Sequence, residues 1–218
     1  MKKLIIFDFD GVIADTEKLW VSVWHKFVNK KFSLNWSFDE SYKIFAGVSP
    51  VTKIERLKNL GYQISEEELS QIISEENLLV SQIEITNGIV DILKDEKLIK
   101  CIGTGGPTLK TAKKIDVLNI RKYLPNEIVF TAEMVKRGKP EPDIFLYAAE
   151  KMSYKPENCL VIEDSIAGSI AAKAANMDII AFTEHQHVDK KDYLIKLKEI
   201  GVTKFADNVE ELKKYIYK

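Results

Sequence analysis

The pattern of apolar and polar residues along the chain alternates between two periods. Short apolar runs predict buried strands at residues 3–9, 99–103, 127–130, 159–162 and 178–182. Segments with a helical period separate most of these runs, at 108–118, 143–152, 165–176 and 190–200. Strands that alternate with helices predict an α/β fold, with a parallel sheet covered by helices on both faces. Sheets of this kind bind ligands beyond the carboxyl ends of their strands.

Residues 15–83 interrupt this alternation, because they show helical patterns and no clear strand. Trp20 and Trp24 recur at helical spacing, and Ser65 with Glu68 has the spacing of a capping box at a helix start. We therefore predict a small all-helical domain at 15–83, inserted after the first strand of a core domain formed by residues 1–14 and 84–218. An insert of this kind is typical of a lid over an active site.

The composition excludes several classes of protein. The 218 residues carry 32 basic and 33 acidic side chains, and a formal net charge of −1 argues against a nucleic-acid or membrane-surface partner. The apolar run Leu4–Phe7 meets Asp8 too early for a secretory signal, and no run approaches the roughly 18 residues of a membrane span. Cys101 and Cys159 fall in predicted strands, so we expect reduced core thiols and a cytoplasmic location.

Two aspartates, Asp8 and Asp10, lie at the end of the first predicted strand with one residue between them. The alternation of a strand points both side chains to the same side. Two close carboxylates repel each other unless a cation or proton lies between them, and Mg²⁺ binds carboxylate and carbonyl oxygens well. The same residues could instead be ordinary turn and capping residues, so the pair alone leaves both interpretations open.

Three further strand ends carry polar groups. Residues 104–106 precede a predicted helix and could form a phosphate cradle of backbone N–H groups, or only a tight turn. Lys139 could neutralise a phosphate or a carboxylate, or be a solvated loop lysine. Glu163 and Asp164 end another strand, where Asp164 could also cap the next helix. Together, two acid pairs, a hydroxyl and a lysine at one sheet edge are the groups that phosphoryl transfer requires.

These strand ends resemble the motifs of the haloacid dehalogenase-like hydrolase superfamily, and the resemblance covers nearly the whole chain. The matching segments are 8–17, Thr104, 138–145 and 163–165. The resemblance implies a doubly wound, Rossmann-like core with a helical cap domain inserted after the first strand. It also implies a Mg²⁺-dependent phosphoric monoester hydrolase, which acts on a small phosphorylated metabolite through an aspartyl-phosphate intermediate.

The resemblance further implies a role for each residue of these motifs. Asp8 would be the nucleophile, and Asp10 would protonate the leaving group and then activate water. Thr104 would hold the phosphoryl oxygens, and Lys139 would orient Asp8. The implied magnesium ligands are Asp8, the backbone carbonyl of Asp10, Asp164 and the neighbouring Glu163. The implied substrate contacts are Gly105, Gly106, Thr16 and Glu17.

Several positions separate the reactions found within this superfamily. The dehalogenases of this superfamily resemble a pattern that keeps the nucleophilic aspartate but lacks the second aspartate of the motif. The presence of Asp10 therefore favours phosphoryl transfer. Sugar-phosphate mutases of the beta-phosphoglucomutase branch have an arginine where this chain has Pro50 and a histidine where it has Trp20. These departures favour hydrolysis, although nearby Lys53 could replace the missing cation. Similarity to 6-phosphogluconate phosphatases, which favours sugar or sugar-acid phosphates as substrates, is found at residues 104–107, 157–159 and 164–168.

Two non-catalytic classes share part of this pattern. A receiver-like phospho-accepting module combines the same side chains, but it is about half this length and phosphorylates an acid on a later strand. A structural or nucleotide-sensing module would keep the site without turnover. Phosphate release from p-nitrophenyl phosphate separates both classes from an enzyme. His185 and His187 have no nearby cysteine, so we expect no metal site there, and we expect the enzyme to be a monomer.

Overall fold

The chain folds into two units. The computed structural model describes residues 3–185 and 190–218. The unit that we call the core comprises Met1–Asp15 and Glu84–Lys218, and the unit that we call the cap comprises Thr16–Ile83. Asp15, which the sequence analysis places in the cap, belongs to the core because it pairs with Glu84 in a short antiparallel sheet.

Most strands of the described residues form one parallel sheet. The strands are β1 (Leu4–Phe7), β2 (Ala14–Asp15), β3 (Glu84–Ile85), β4 (Ile99–Thr104), β5 (Val129–Thr131), β6 (Cys159–Glu163), β7 (Asp178–Phe182) and β8 (Phe205–Ala206). Six of them are ordered β5-β4-β1-β6-β7-β8, and each neighbouring pair is parallel. The predicted α/β fold with a parallel sheet is confirmed.

The observed strands differ from the predicted ones in three main respects. The first strand was predicted at 3–9 but spans only Leu4–Phe7, so Asp8 and Phe9 lie beyond its end. The run 127–130 was predicted as a strand, but Asn126–Ile128 forms a 3₁₀ turn and the strand begins only at Val129. The strands β2, β3 and β8 were not predicted, because two residues are too few to display a period of two.

The cap unit is helical in the described residues. Its helices are α1 (Glu17–Phe32), α2 (Phe38–Phe45), α3 (Pro50–Asn59) and α4 (Glu66–Leu79). Trp20, Trp24 and Val28 are buried along α1, which confirms the predicted apolar stripe. The predicted capping box is also present, because Glu68 N donates to Ser65 Oγ at 3.2 Å and Ser65 N donates to Glu68 Oε2 at 2.9 Å.

Helices cover both faces of the parallel sheet in the core unit. They are α5 (Ile89–Lys94), α6 (Thr108–Val117), α7 (Asp143–Lys151), α8 (Ile166–Ala174), α9 (Lys190–Glu199) and α10 (Val209–Ile216). Alternate residues of β1 serve the two layers, since strand side chains point to opposite faces. Ile5 and Phe7 pack with α5, α6 and α10, whereas Leu4 and Ile6 pack with α7, α8 and α9.

Both cysteines of the chain are buried in the core unit. Cys101 and Cys159 form no disulfide, as predicted. Burial raises the pKa of the Cys159 thiol to about 11, so this thiol stays protonated near neutral pH. Within residues 3–185 and 190–218, no helix has both the length and the apolar character that a membrane span requires.

The position of β1 determines where polar side chains can meet. Phe7 pairs with Ile102 of β4 on one side and with Ile162 of β6 on the other. The backbone continues this register, because Asp8 N donates to Ile162 O at 2.9 Å. The residues that follow β1, β4 and β6 therefore emerge side by side at the carboxyl edge of the sheet, where doubly wound folds bind ligands.

Candidate active site

Lys139 binds two of the acids that the sequence analysis singled out. Its Nζ lies 2.7 Å from Asp8 Oδ1 and 2.7 Å from Glu163 Oε1, and 4.8 Å from the centre of the Phe145 ring. Its side chain is only 9% exposed, so it is not a solvated loop lysine. Burial by itself would lower the pKa of Lys139, but attraction to the Asp8 and Glu163 carboxylates outweighs it and raises the pKa, which keeps the ammonium group charged.

The carboxylate of Asp8 lacks enough positive charge around it. Its burial, together with repulsion from Glu163 and Asp10, raises its pKa to about 7, against the opposing attraction of Lys139. Lys139 alone therefore does not offset the effect of burial and of the neighbouring acids on the pKa of Asp8. A second positive charge, such as a bound cation, would restore the ionised form of Asp8.

An acidic cluster beside Lys139 can hold such a cation. Carboxylate oxygens of Asp8, Glu163 and Asp164 all lie within 4.8 Å of one another. An all-oxygen donor set suits hard cations such as Mg²⁺, which prefer carboxylate, carbonyl and water ligands. The described residues thus fit the predicted metal site, although the carboxylate of Asp10 lies outside this cluster.

Glu163 is already bound at both carboxylate oxygens. Besides Lys139 at Oε1, it accepts a bond of 2.6 Å from Ser165 N at Oε2 and one of 3.2 Å from Ser165 Oγ at Oε1. Ser165 is also the N-cap of α8, since its Oγ accepts from Gly168 N at 2.9 Å. The capping role considered for Asp164 is therefore wrong, because the next residue already performs it.

Two glycines allow the acids to lie directly against the backbone. A Cβ on Gly11, which has φ +79°, would lie 1.9 Å from Asp164 Oδ2, and a Cβ on Gly168 would lie 1.5 Å from Glu163 Oε1. No larger residue fits at either position without moving a carboxylate. Gly11, in the turn after β1, thus leaves the space that the Asp164 carboxylate occupies. Gly168, in the first turn of α8, does the same for Glu163.

Thr104 ends β4 and is almost fully buried. Its Oγ1 accepts a hydrogen bond of 3.1 Å from Gly106 N, so its own proton can be donated to another acceptor. Thr108 N, at the start of α6, donates to Glu133 Oε2 at 2.9 Å. The predicted cradle therefore has fewer N–H groups to offer a phosphate than expected, because the N–H group of Gly106 already has an acceptor. The N–H group of Thr108, just beyond the predicted segment, has one too. Gly105 has open space on its Cβ side.

Asp10 has a partner that the sequence analysis missed. Lys114 Nζ, from α6, lies 2.5 Å from Asp10 Oδ1 and 2.6 Å from Asp10 Oδ2. The signal for Lys114 was weak but present, since it has the helical spacing of the buried residues Thr111 and Ile115.

The remaining predicted residues lie elsewhere in the structure. Thr16 is fully buried, and Glu17 Oε1 accepts from Gly47 N at 3.0 Å, both within the cap unit. Their contact with substrate stays a prediction. His185 lies 3.4 Å from Asp15 at Nδ1 and 2.9 Å from Thr86 at Nε2, whereas His187 lies outside the described residues.

Comparison with known proteins adds independent information. A family model described as haloacid dehalogenase-like hydrolase matches residues 5–182. A 6-phosphogluconate phosphatase of Escherichia coli is 27% identical over 84% of this chain and 83% of its own length. A phosphorylated carbohydrates phosphatase of Thermotoga maritima is 26% identical over 87% of this chain and 89% of its own length.

Solved structures share the whole fold. A haloacid dehalogenase-like protein of Agrobacterium tumefaciens has a TM-score of 0.88 and 24% identity, and covers 100% of this chain and 98% of its own. A hydrolase of the same family from Deinococcus radiodurans, with bound phosphate and sodium, has a TM-score of 0.82 and 22% identity, and covers 99% of this chain and 95% of its own.

Proposed function

Because this chain belongs to the haloacid dehalogenase-like hydrolase family, as the sequence predicted, we propose that it is a phosphoric monoester hydrolase that releases phosphate from small phosphorylated carbohydrates. The observation that carries the proposal is the buried carboxylate of Asp8, held at 2.7 Å by Lys139 beside Glu163 and Asp164. A nucleophile, a fixed cation and an acidic cluster at one sheet edge suit phosphoryl transfer. The phosphatase names of the similar enzymes support the substrate class.

In the first half-reaction, Asp8 attacks the phosphorus atom and becomes an aspartyl phosphate. Lys139 fixes the orientation of the attacking carboxylate and offsets negative charge as the phosphoryl group approaches. The Thr104 hydroxyl donates to a phosphoryl oxygen, since its acceptor side is occupied by Gly106 N. Asp10, which enters this step as the carboxylic acid, gives its proton to the departing sugar oxygen and is left as the carboxylate.

In the second half-reaction, water replaces the aspartate on phosphorus. Asp10, now a carboxylate, takes a proton from the water, which attacks the aspartyl phosphate and regenerates Asp8. Phosphate is the product. The same residue thus acts as acid and then as base, which requires a carboxylate held in one place through both steps.

We assign Asp8, Asp164 and the backbone carbonyl of Asp10 as ligands of Mg²⁺. Glu163 has both oxygens bound to Lys139 and Ser165, so in this proposal it holds those residues rather than the ion. When bound, Mg²⁺ supplies the positive charge that the acids around Asp8 lack and screens the incoming phosphate.

Removal of divalent metal should abolish turnover, and Mg²⁺ should restore it. Ca²⁺ should restore it poorly, because it takes more oxygen ligands at longer distances and would bind the Asp8 carboxylate through both oxygens. Initial rates of phosphate release after chelation and dialysis, with each ion added back, provide the measurement. Equal rates with the two ions would contradict this assignment.

Two residues of the cap unit favour a hydrolase over a sugar-phosphate mutase. A mutase must hold the second phosphate of a bisphosphate intermediate, but Pro50, the first residue of α3, has no charge and no N–H group. Lys53, the alternative cation, is only 4% exposed, and its Nζ lies 5.4 Å from the centre of the Trp24 ring inside the cap unit. We propose that Lys53 serves the packing of the cap.

Phosphate release from a panel of hexose phosphates and sugar-acid phosphates, including 6-phosphogluconate, tests the function. We expect turnover of at least one member with Mg²⁺, and no interconversion of glucose 1-phosphate and glucose 6-phosphate. Phosphorus NMR on each substrate distinguishes the two reactions. Isomerisation faster than release would establish the mutase, and failure to turn over any substrate, p-nitrophenyl phosphate included, would establish a non-catalytic module.

A further inference from the structure

The carboxylate of Asp10 is gripped at both oxygens by one buried lysine. Lys114 Nζ lies 2.5 Å from Asp10 Oδ1 and 2.6 Å from Asp10 Oδ2. The side chain of Lys114 is 2% exposed, and that of Asp10 is 27% exposed. Contact with both oxygens restricts rotation of the carboxylate plane, which a bond to one oxygen would leave possible.

The surroundings of Lys114 show that this contact does not arise from a loose surface pair. Its ammonium group lies 5.1 Å from the centre of the Phe9 ring, and its helix position is flanked by buried Thr111 and Ile115. Burial of an ammonium group is costly unless charge and hydrogen bonds compensate it, so the Asp10 carboxylate is the group that makes this position tolerable. The neighbouring Lys113 is exposed on the same helix.

The gripped carboxylate faces the loop proposed to hold phosphate. A Cβ built on Gly106 would lie 3.7 Å from Asp10 Oδ2, 3.6 Å from Thr104 Oγ1 and 3.0 Å from Thr111 Oγ1. Asp10 therefore lies against the residues that follow β4. Because Lys114 belongs to α6, the position of this helix sets the distance between the Asp10 carboxylate and those residues. A shift of about 1 Å in such a group is sufficient to lower a rate roughly 10²-fold.

We infer that Lys114 is a positioning residue that holds the Asp10 carboxylate toward the attacking water in the second half-reaction. The inference rests on the proposed function, since it deepens the part that Asp10 has in it. Among the described residues, the hydrogen bonds of the Lys114 ammonium group go to Asp10 and not to Asp8, Glu163 or Asp164. Its effect on the rate must therefore pass through Asp10.

Lys114→Met should lower kcat by about 10²-fold, because methionine fills the space but cannot bind the carboxylate; KM should fall with kcat where dephosphorylation becomes rate-limiting. Lys114→Arg keeps the charge, so its kcat should be at least about tenfold higher than that of Lys114→Met. Lys113→Met, on the exposed side of α6, is the matched control and should resemble the wild type. Circular dichroism and thermal unfolding establish that each variant is folded.

A double-mutant cycle isolates the path through Asp10. In an Asp10→Asn background, Lys114→Met should cause no further loss of kcat, because the group it positions is already gone. A lysine that only supports the fold would lower kcat by the same factor in both backgrounds. If Lys114→Met alone is unstable, the comparison within the Asp10→Asn background remains, since the double variant has no unpaired charge at this position, and a further loss of kcat there would overturn the inference.

The two half-reactions give a second readout that a structural role would not change. Nitrophenolate leaves without protonation, so phosphorylation of Asp8 by p-nitrophenyl phosphate needs no acid, whereas dephosphorylation still needs the base. Lys114→Met should show a burst of nitrophenolate close to the enzyme concentration, followed by a slow steady state. Acid-quenched protein should carry phosphate on Asp8.

The outcomes separate the inference from the proposed function. Phosphate release by the wild type, together with an unchanged Lys114→Met variant, or with equal losses in both backgrounds and no burst, overturns the role of Lys114 alone. Failure of the wild type to release phosphate from any substrate overturns the proposed function, and this inference with it.

Discussion

Asp8→Asn should lower kcat by at least about 10³-fold, because the amide has no nucleophilic oxygen and removes one charge from the cation site. The protein should remain folded. Asparagine is nearly isosteric and can still accept a hydrogen bond from Lys139, which lies 2.7 Å from Asp8 Oδ1. Burial of the charged carboxylate, with repulsion from Glu163 and Asp10, raises the pKa of Asp8, so a neutral side chain removes both costs. Its melting temperature should therefore not fall below that of the wild type.

The experiment compares kcat and thermal unfolding for the two proteins on the best substrate of the panel. Asp39→Asn changes an exposed aspartate at the start of α2 and serves as the control, with activity expected near that of the wild type. Retention of a tenth of the wild-type kcat by Asp8→Asn, in protein free of contaminating phosphatase, would rule out Asp8 as the nucleophile.

Gly168→Ala should destabilise the core unit and lower activity together. The new Cβ would lie 1.5 Å from Glu163 Oε1, so Glu163 must leave Lys139 and Ser165 N. Loss of two bonds to a charged group costs about 1.5–3 kcal/mol each, and alanine in a helix recovers only about 1 kcal/mol. We expect a net loss of about 2–5 kcal/mol, which lowers Tm by roughly 5–15 °C.

Calorimetry and initial rates on the same preparations measure both effects. Gly138→Ala is the matched control, because nothing lies within 4 Å of its Cβ position, and it should change the free energy of unfolding by less than about 0.5 kcal/mol. Adding Glu163→Ala to Gly168→Ala should cost less than the same change in the wild type, since the clashing carboxylate is then absent. Equal stability of Gly168→Ala and Gly138→Ala would show that Glu163 has room to move.

The fold could be predicted because burial leaves a periodic record in the sequence. The strand β1 is buried at every residue and reads as an unbroken apolar run, and β7 was predicted at its observed bounds. Short strands that form only by pairing with a neighbouring strand show no such pattern in the sequence. Phe205–Ala206 has only two residues, and its place beside β7 comes from pairing in the sheet.

The polar residues at the strand ends were also visible in the sequence, since Asp8, Thr104 and Glu163 each follow or end an apolar run. Their pairing was not visible. Lys139, in the segment between β5 and α7, meets Asp8 across 131 residues of chain, although β4 lies between β5 and β1 in the sheet. The sequence could suggest a phosphate cradle at residues 104–106, but it could not show that Gly106 N is already bound to Thr104.

Lys113 and Lys114 show most clearly what the sequence determines and what only the tertiary structure decides. As neighbours of identical chemistry on one predicted helix, they could not be told apart by residue type, and the helical spacing of Lys114 from Thr111 and Ile115 was only a weak signal. The packing of α6 against the sheet leaves Lys113 exposed and turns Lys114 inward to Asp10, 104 positions away. Helices place successive side chains about 100° apart, so only the rotation set by the packed core decides which of the two reaches the active site.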